Sequence, residues 1–399
     1  MEAESGYVVR QRLGRHPIWP QGGPLLGRLD VELTERCNNN CVHCYINRPE
    51  SDGRAKAREL LTREWQRILG EAAALGALSV RFTGGEPLLR EDFPDLYLFA
   101  RRLGLRVILF TNARLITPEL AGLLARVPPL EKVEITVYGM HPASYEVVSR
   151  APGSYAQFRH GVELLLAAGV PFLVKGTQLP PTRDEREEFE AWAATLPGMD
   201  GTPGYVGALD ARGRRDSAAR NRLIVNLRVS PTEWVRFLAR RPERYRRDMA
   251  EFCSRFLGPG GDRLFDCGAG QTVSVDAYGT LQPCMTLRDP ALAYDLSNGS
   301  LREALTDVFP RLRDMRATNP QYLARCARCF LKGVCEQCPA KSWAEHGTLD
   351  SPVEYLCEMA HEQARYLGLL AEGERAWEVS DGAERVRKMD GGNDGIGGS

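Results

Sequence analysis

Apolar and polar residues alternate through Leu29-Asp30-Val31-Glu32-Leu33, the period of a strand with one buried face. Residues 28–34 therefore read as a first strand. Residues 78–83, 105–110, 133–137 and 170–175 repeat the signal in short runs rich in Val, Leu and Phe. Between them apolar positions fall at helical spacing, near 62–75, 91–103, 118–126, 142–149, 155–168 and 184–196. Thr62, with Glu64 and Trp65 behind it, is a helix start. Strands alternating with helices predict a parallel sheet joined by right-handed crossovers. Six or so such units predict an α/β fold, a partial (β/α)6 barrel, whose functional groups belong at the C-terminal strand ends.

The pattern weakens after residue 198. Gly, Asp and Arg dominate 201–222, which reads as loops. Helices are expected near 231–241 and 244–257, and again at 354–370. Residues 271–275 and 280–282 predict a small hairpin around Asp276-Ala277-Tyr278-Gly279. Pro17, Pro20, Gly22, Gly23 and Pro24 make 1–27 an irregular lead-in. The expected organisation is that lead-in, a barrel over 28–230, a helical linker over 231–266, a small α+β region over 267–372, and a disordered tail over 373–399. No repeat of fixed period is present.

Composition narrows the classes. The 399 residues are 43% hydrophobic and 26% charged, with 52 basic against 52 acidic side chains. Zero net charge argues against a general nucleic-acid binder. The acidic start, Met1-Glu2-Ala3-Glu4-Ser5, lacks the regions of a signal peptide. The longest apolar stretch, 162–174, is interrupted by Gly169 and Pro171 and is too short for a bilayer. A cytoplasmic protein with no membrane or nucleic-acid partner is expected. The 11 cysteines are clustered: Cys37, Cys41 and Cys44, then nothing until Cys253. In a reducing compartment such clusters read as ligand sets rather than disulfides.

Cys37, Cys41 and Cys44 stand at C-x3-C-x2-C spacing just after the first strand. Three thiolates can hold three irons of a 4Fe–4S cube and leave the fourth iron open to a reactant. A zinc knuckle using His43 is the competing reading. One helix later, Gly84-Gly85-Glu86-Pro87 ends the second predicted strand. Its glycines would expose backbone to a close ligand, and a carboxylate can accept from an ammonium.

The loop and the Gly-Gly-Glu-Pro resemble those of the radical S-adenosylmethionine (SAM) family. The resemblance implies a cluster on Cys37, Cys41 and Cys44 whose open iron chelates SAM, with Gly84, Gly85, Glu86 and Pro87 holding its methionine end. It implies further contacts to SAM from Thr111, Asn112, Thr136 and Arg150, although each also reads as a surface Arg or helix-end polar residue. Tyr45, Tyr138 and His141 near the predicted rim read as packing residues.

The later cysteines extend the likeness. Eleven residues separate Cys267 from Gly279 and four separate Gly279 from Cys284; then come Cys326-x2-Cys329-x5-Cys335-x2-Cys338 and Cys357. This resembles the SPASM domain, which binds two auxiliary 4Fe–4S clusters, although two residues stand before Cys338 where three are usual. The resemblance assigns Cys326, Cys329, Cys335 and Cys357 to an outer cluster and Cys267, Cys284 and Cys338 to an inner one. Cys253 is either the fourth inner ligand or a buried helix residue. A zinc ribbon is the rival reading of this segment. The implied function is a radical SAM oxidoreductase that cleaves SAM to a 5′-deoxyadenosyl radical. Its implied substrate is a ribosomally made peptide or protein. An external electron donor is implied, and residues 1–27 being short, a separate leader-recognition protein. The alternatives are a small-molecule substrate such as a tetrapyrrole side chain, and a non-catalytic zinc-binding module.

Overall fold

The computed structural model describes residues 25–382 apart from 200, 257–259, 333, 336 and 337, and also residues 384–386; for 253–256 it describes backbone only. The lead-in before residue 25, the tail beyond 386 and the Cys253 side chain, all named above, lie outside the described residues.

Six parallel strands form the centre: β1 (Arg28–Thr34), β2 (Ser79–Gly84), β3 (Arg106–Thr111), β4 (Leu130–Val137), β5 (Leu173–Thr177) and β6 (Gly204–Val206). Helices α1 (Thr62–Ala74), α2 (Phe93–Arg102), α3 (Pro118–Arg126), α4 (Pro142–Ser149), α5 (Ser154–Ala167) and α6 (Arg186–Ala193) fall between them. In α1 the buried residues Trp65, Ile68, Leu69 and Ala72 recur at the spacing of one helix face. Thr117 caps α3, its side chain accepting from the Leu120 N–H.

Register gives the sheet two unlike faces. Val273, Leu29, Val80, Val107 and Val133, with Val31, Phe82, Leu109, Ile135 and Val174, lie on one side and join the main apolar core. Burying side chains of this size contributes roughly 1.5–3 kcal/mol each, so this face holds the helices. The in-register partners on the other side run Ser274, Asp30, Arg81, Ile108 and Lys132, then Glu32, Thr83, Phe110 and Glu134, then Thr136 and Lys175. That face is polar.

The sheet crosses the expected boundary at residue 267. Val273–Val275 (β7) pairs parallel with Leu29–Val31, and Thr280–Gln282 (β8) and Tyr294–Asp295 (β9) follow antiparallel, giving the order β9-β8-β7-β1-β2-β3-β4-β5-β6. The expected hairpin is present, but as an extension of the barrel sheet on the free edge of β1.

Residues 201–222 correct a second expectation. Gly204–Val206 pairs with Lys175–Thr177, and helix α7 (Ala218–Asn226) begins where the Ser217 side chain accepts from Arg220 N–H. The single helix expected over 184–196 is a 3-10 turn, Pro180–Glu185, followed by α6. The last helix ends at Tyr366 rather than 370. The first residues of the expected tail are packed: Ala376 is fully buried, donates its N–H to His361 at 3.1 Å, and Arg385 pairs with Glu374. Among the described residues no helix is long and apolar enough to cross a membrane.

Candidate active site

The cysteine loop leaves β1 at the C-terminal end of the sheet. Its base is clamped by backbone bonds to the Gly-Gly-Glu turn: Gly85 N–H donates to Thr34 O at 2.7 Å and Glu86 N–H to Arg36 O at 2.9 Å. The approach requires glycine. A Cβ on Gly84, whose φ is +125°, would lie 2.2 Å from Thr34 O, and one on Gly85 would lie 2.2 Å from Arg36 O.

Glu86 is fully buried. Its Oε1 accepts from Thr111 Oγ1 at 2.8 Å and Leu88 N–H at 3.2 Å; Oε2 accepts from Asn112 N–H at 2.8 Å. The carboxylate ties the ends of β2 and β3 together, which is a scaffolding task beyond the ammonium contact expected of it. Burial pushes it up to about 7, against the lowering effect of those three donors. Asn112 carries the tie onward, donating from Nδ2 to Asn38 Oδ1 at 2.7 Å and lying 3.8 Å from Cys37 Sγ.

The three thiols are electrostatic neighbours. Burial raises Cys37 well above an ordinary thiol, and negative charge on Cys41, Glu86 and Cys44 adds to it. Burial and then Cys44 push Cys41 up to about 12. Thiols that repel one another as thiolates fit a cationic ligand that relieves the repulsion. Asn39 N–H points at Cys37 Sγ from 3.4 Å. Among the described residues no three His, Cys, Asp or Glu side chains are drawn together closely enough for a single ion. A four-iron cube, with one thiolate on each of several irons, does not demand that closeness.

Three arginines fix the loop from outside, and sequence reading missed all three. Arg114 donates to Asn38 O and, at 2.6 Å, to Asn39 Oδ1. Arg220 donates to Cys41 O and Arg212 to Cys44 O. Their partners are 76, 179 and 168 residues away, so no local signal marks them. The loop backbone also docks on α4, with Asn40 N–H on Ser149 O and Val42 N–H on Val148 O. Tyr138, expected to be packing, packs on His43 and edge-on to Tyr145, with ring centres 5.9 and 5.3 Å away, beside the Cys41 sulfur. His43 is held neutral, lowered to about 4 by burial and then by the charges of Arg220 and Lys175. Tyr45 is half-buried beside Glu32 and Arg288, whereas His141 lies exposed against Glu188.

The remaining expected SAM contacts surround this loop unevenly. Pro87 opens a 3-10 turn behind Glu86. Thr136 is half-buried on the polar face, in register with Lys175. Arg150 is exposed in the left-handed conformation at the end of α4, next to the residue that holds Asn40.

The later thiols fall into two groups. Cys326, Cys329, Cys335 and Cys357 line one cavity together with Arg325, Lys332, His361 and Trp377. Cys284 is raised by burial with a further push from Cys267, and Cys338 by burial with a push from Cys284. The ten cysteines whose side chains are described are all free of disulfides.

Comparison with known proteins gives a consistent neighbourhood. Residues 31–193 match the model of the radical SAM superfamily. An AdoMet-dependent heme synthase of Methanosarcina barkeri is 28% identical over 342 residues, 79% of this chain and 92% of that protein. The mycofactocin maturase MftC of Mycolicibacterium smegmatis is 30% identical over 338 residues, 81% of each chain. Among solved structures, native anSMEcpe with bound AdoMet shares the fold at a TM-score of 0.61 and 14% identity, over 86% of this chain and 96% of that one.

Proposed function

The chain belongs to the radical SAM superfamily and is an enzyme of that class, and we propose that it oxidatively modifies a ribosomally made peptide or protein. The observation that carries the substrate reading is the second set of thiols, four of which line one cavity well away in sequence from the first loop. Such a set resembles the SPASM extension of peptide-modifying members, and likeness to a maturase over most of both chains supports it.

The family carries a 4Fe–4S cluster and SAM. When bound, they supply an electron that splits SAM and yields a 5′-deoxyadenosyl radical able to take a substrate hydrogen atom. In our reading Cys37, Cys41 and Cys44 hold the cluster. Gly84, Gly85, Glu86 and Pro87 shape the turn facing SAM, and Thr111, Asn112, Thr136 and Arg150 surround it. Glu86 acts by holding Thr111 and the Asn112 backbone in place. Arg114, Arg212 and Arg220 fix the loop carbonyls, which keeps the three sulfurs oriented before anything binds.

Residues 28–230 form the barrel unit of this reading, 231–266 the linker and 267–372 the auxiliary-cluster region. Cys326, Cys329, Cys335 and Cys357 would hold the outer auxiliary cluster. Cys267, Cys284 and Cys338, with Cys253, would hold the inner one. An external electron donor completes the system, with a separate leader-recognition protein as the second partner.

The heme synthase likeness supports a second reading, a small-molecule substrate. The test is iron and acid-labile sulfide per chain after anaerobic reconstitution, with 5′-deoxyadenosine formation assayed against peptide and tetrapyrrole substrates. About twelve irons per chain and turnover of peptide support the first reading. Turnover of tetrapyrrole alone supports the second, and about four irons removes the auxiliary clusters.

A further inference from the structure

The polar face of the sheet is unfinished. Asp30, Glu32, Arg81, Phe110, Lys132, Glu134 and Lys175 share it by register, and Arg288 reaches it from the segment after β8 to pair with Glu32. Among the described residues, buried polar atoms there lack partners: Glu32 Oε2, Arg81 Nε, Ser274 Oγ, Gln282 Oε1, and both Nε and Nη1 of Arg288. Orphaned atoms in such number, on one face, mark a surface that completes itself with a polar ligand.

The sign of that ligand follows from the cations. Arg81, Lys175 and Lys132 converge on the Phe110 ring, at 4.9, 4.4 and 5.9 Å from its centre. Two carboxylates answer these three and Arg28: Asp30 takes Arg81 at 3.2 Å and Arg28 at 3.1 Å, and Glu134 takes both lysines at 2.7 Å. Glu32 is spent on Arg288. Among the described residues two positive charges of this group are left over, and each lysine ammonium, with three donors, shows a single carboxylate partner. The cations are reachable, the Lys175 and Lys132 side chains being 27% and 32% exposed. Lys175 also lies near the cysteine loop, its charge acting on His43, and is in register with Thr136.

We propose that this face receives a carboxylate of the substrate, an acidic side chain of the peptide, held by Lys175 and Arg81 beside the Phe110 ring. The proposal rests on the peptide reading above and adds the chemical class that the enzyme selects.

The test uses reconstituted, SAM-bound holoenzyme and two probes, N-acetyl-glutamate N-methylamide and its glutamine counterpart, titrated by calorimetry. The glutamate probe is expected to bind roughly tenfold more tightly, the worth of one charge-assisted contact. Lys175→Met should bring the two probes level. Glu134→Gln, nearly isosteric and adding to the surplus, should widen the preference. Equal binding of both probes, no binding of either, or a preference that neither substitution moves overturns the proposal. So does a Lys175→Met protein whose SAM affinity falls in step with its glutamate affinity, because the cations would then serve SAM's own carboxylate. SAM cleavage is read on the same preparations: its absence defeats the functional reading, whereas cleavage without charge preference defeats only this inference.

Discussion

The backbone N–H of Asn112 donates to Oε2 of Glu86 at 2.8 Å, so the residue after β3 is held by the second residue after β2. Because the Asn112 side chain then reaches Asn38, one carboxylate aligns two strand ends with the cysteine loop. Glu86→Ala leaves three donors without an acceptor in a dry site. The expected cost is about 2–4 kcal/mol, seen as a lower Tm, with 5′-deoxyadenosine formation falling at least tenfold. Glu86→Gln, which keeps one accepting oxygen, should fall between.

The same carboxylate gives a pH signature in the metal-free chain. Burial holds it near 7 in the fold, against an ordinary value of 4.5. Between those values the folded state binds the extra proton, so Glu86 makes stability fall as pH rises from about 4.5 to about 7, by roughly 3 kcal/mol at most. Urea titrations across that window should show the slope, and Glu86→Gln should flatten it. An unchanged slope in the variant would remove Glu86 as its source.

Gly85→Ala places a methyl 2.2 Å from Arg36 O and 2.6 Å from Glu35 O, both backbone atoms that cannot swing aside. Separating β2 from the loop base is expected to cost about 1–3 kcal/mol and to lower iron retained by the loop after gel filtration. Gly70→Ala, where a Cβ meets nothing within 4 Å on a helix, should be neutral or slightly stabilising.

On the proposed assignment of three clusters, replacing Cys37, Cys41 and Cys44 together by Ala should abolish SAM cleavage while about eight of about twelve irons remain. Loss of all iron in that protein would show that the ligands are divided differently.

Much of this was legible in the chain itself. The alternation in Leu29–Leu33 fixed the first strand, and it also encoded the polar face, since Asp30 and Glu32 fall on the side opposite Leu29 and Val31. Helix α3 was readable to the residue because Thr117 and Pro118 mark its start. What stayed hidden depends on distant partners. Gly204–Val206 becomes a strand only because Lys175–Thr177 lies beside it; Arg212 and Arg220 sit among other arginines in loop-like sequence, and Arg114 stands alone in the turn after β3. Nor does any local pattern say that the hairpin at 273–282 docks on β1 rather than starting a layer of its own. Its turn reaches the loop directly, with Tyr278 donating to Glu35 at 2.7 Å and Ala277 O accepting from Leu60 N–H.

That docking has a consequence for how the chain is made. Strand β1 finds β2 soon after synthesis, but its other edge waits for Val273–Val275. At ribosomal speeds of about 5–20 residues per second the gap lasts roughly ten to fifty seconds. Throughout it the strand that bears the cysteine loop presents an unpaired edge, the kind that recruits foreign strands. Truncated products ending before residue 273 should therefore aggregate rather than accumulate as working half-barrels, and a chaperone that shields nascent edges should raise the yield of the whole protein more than added iron does.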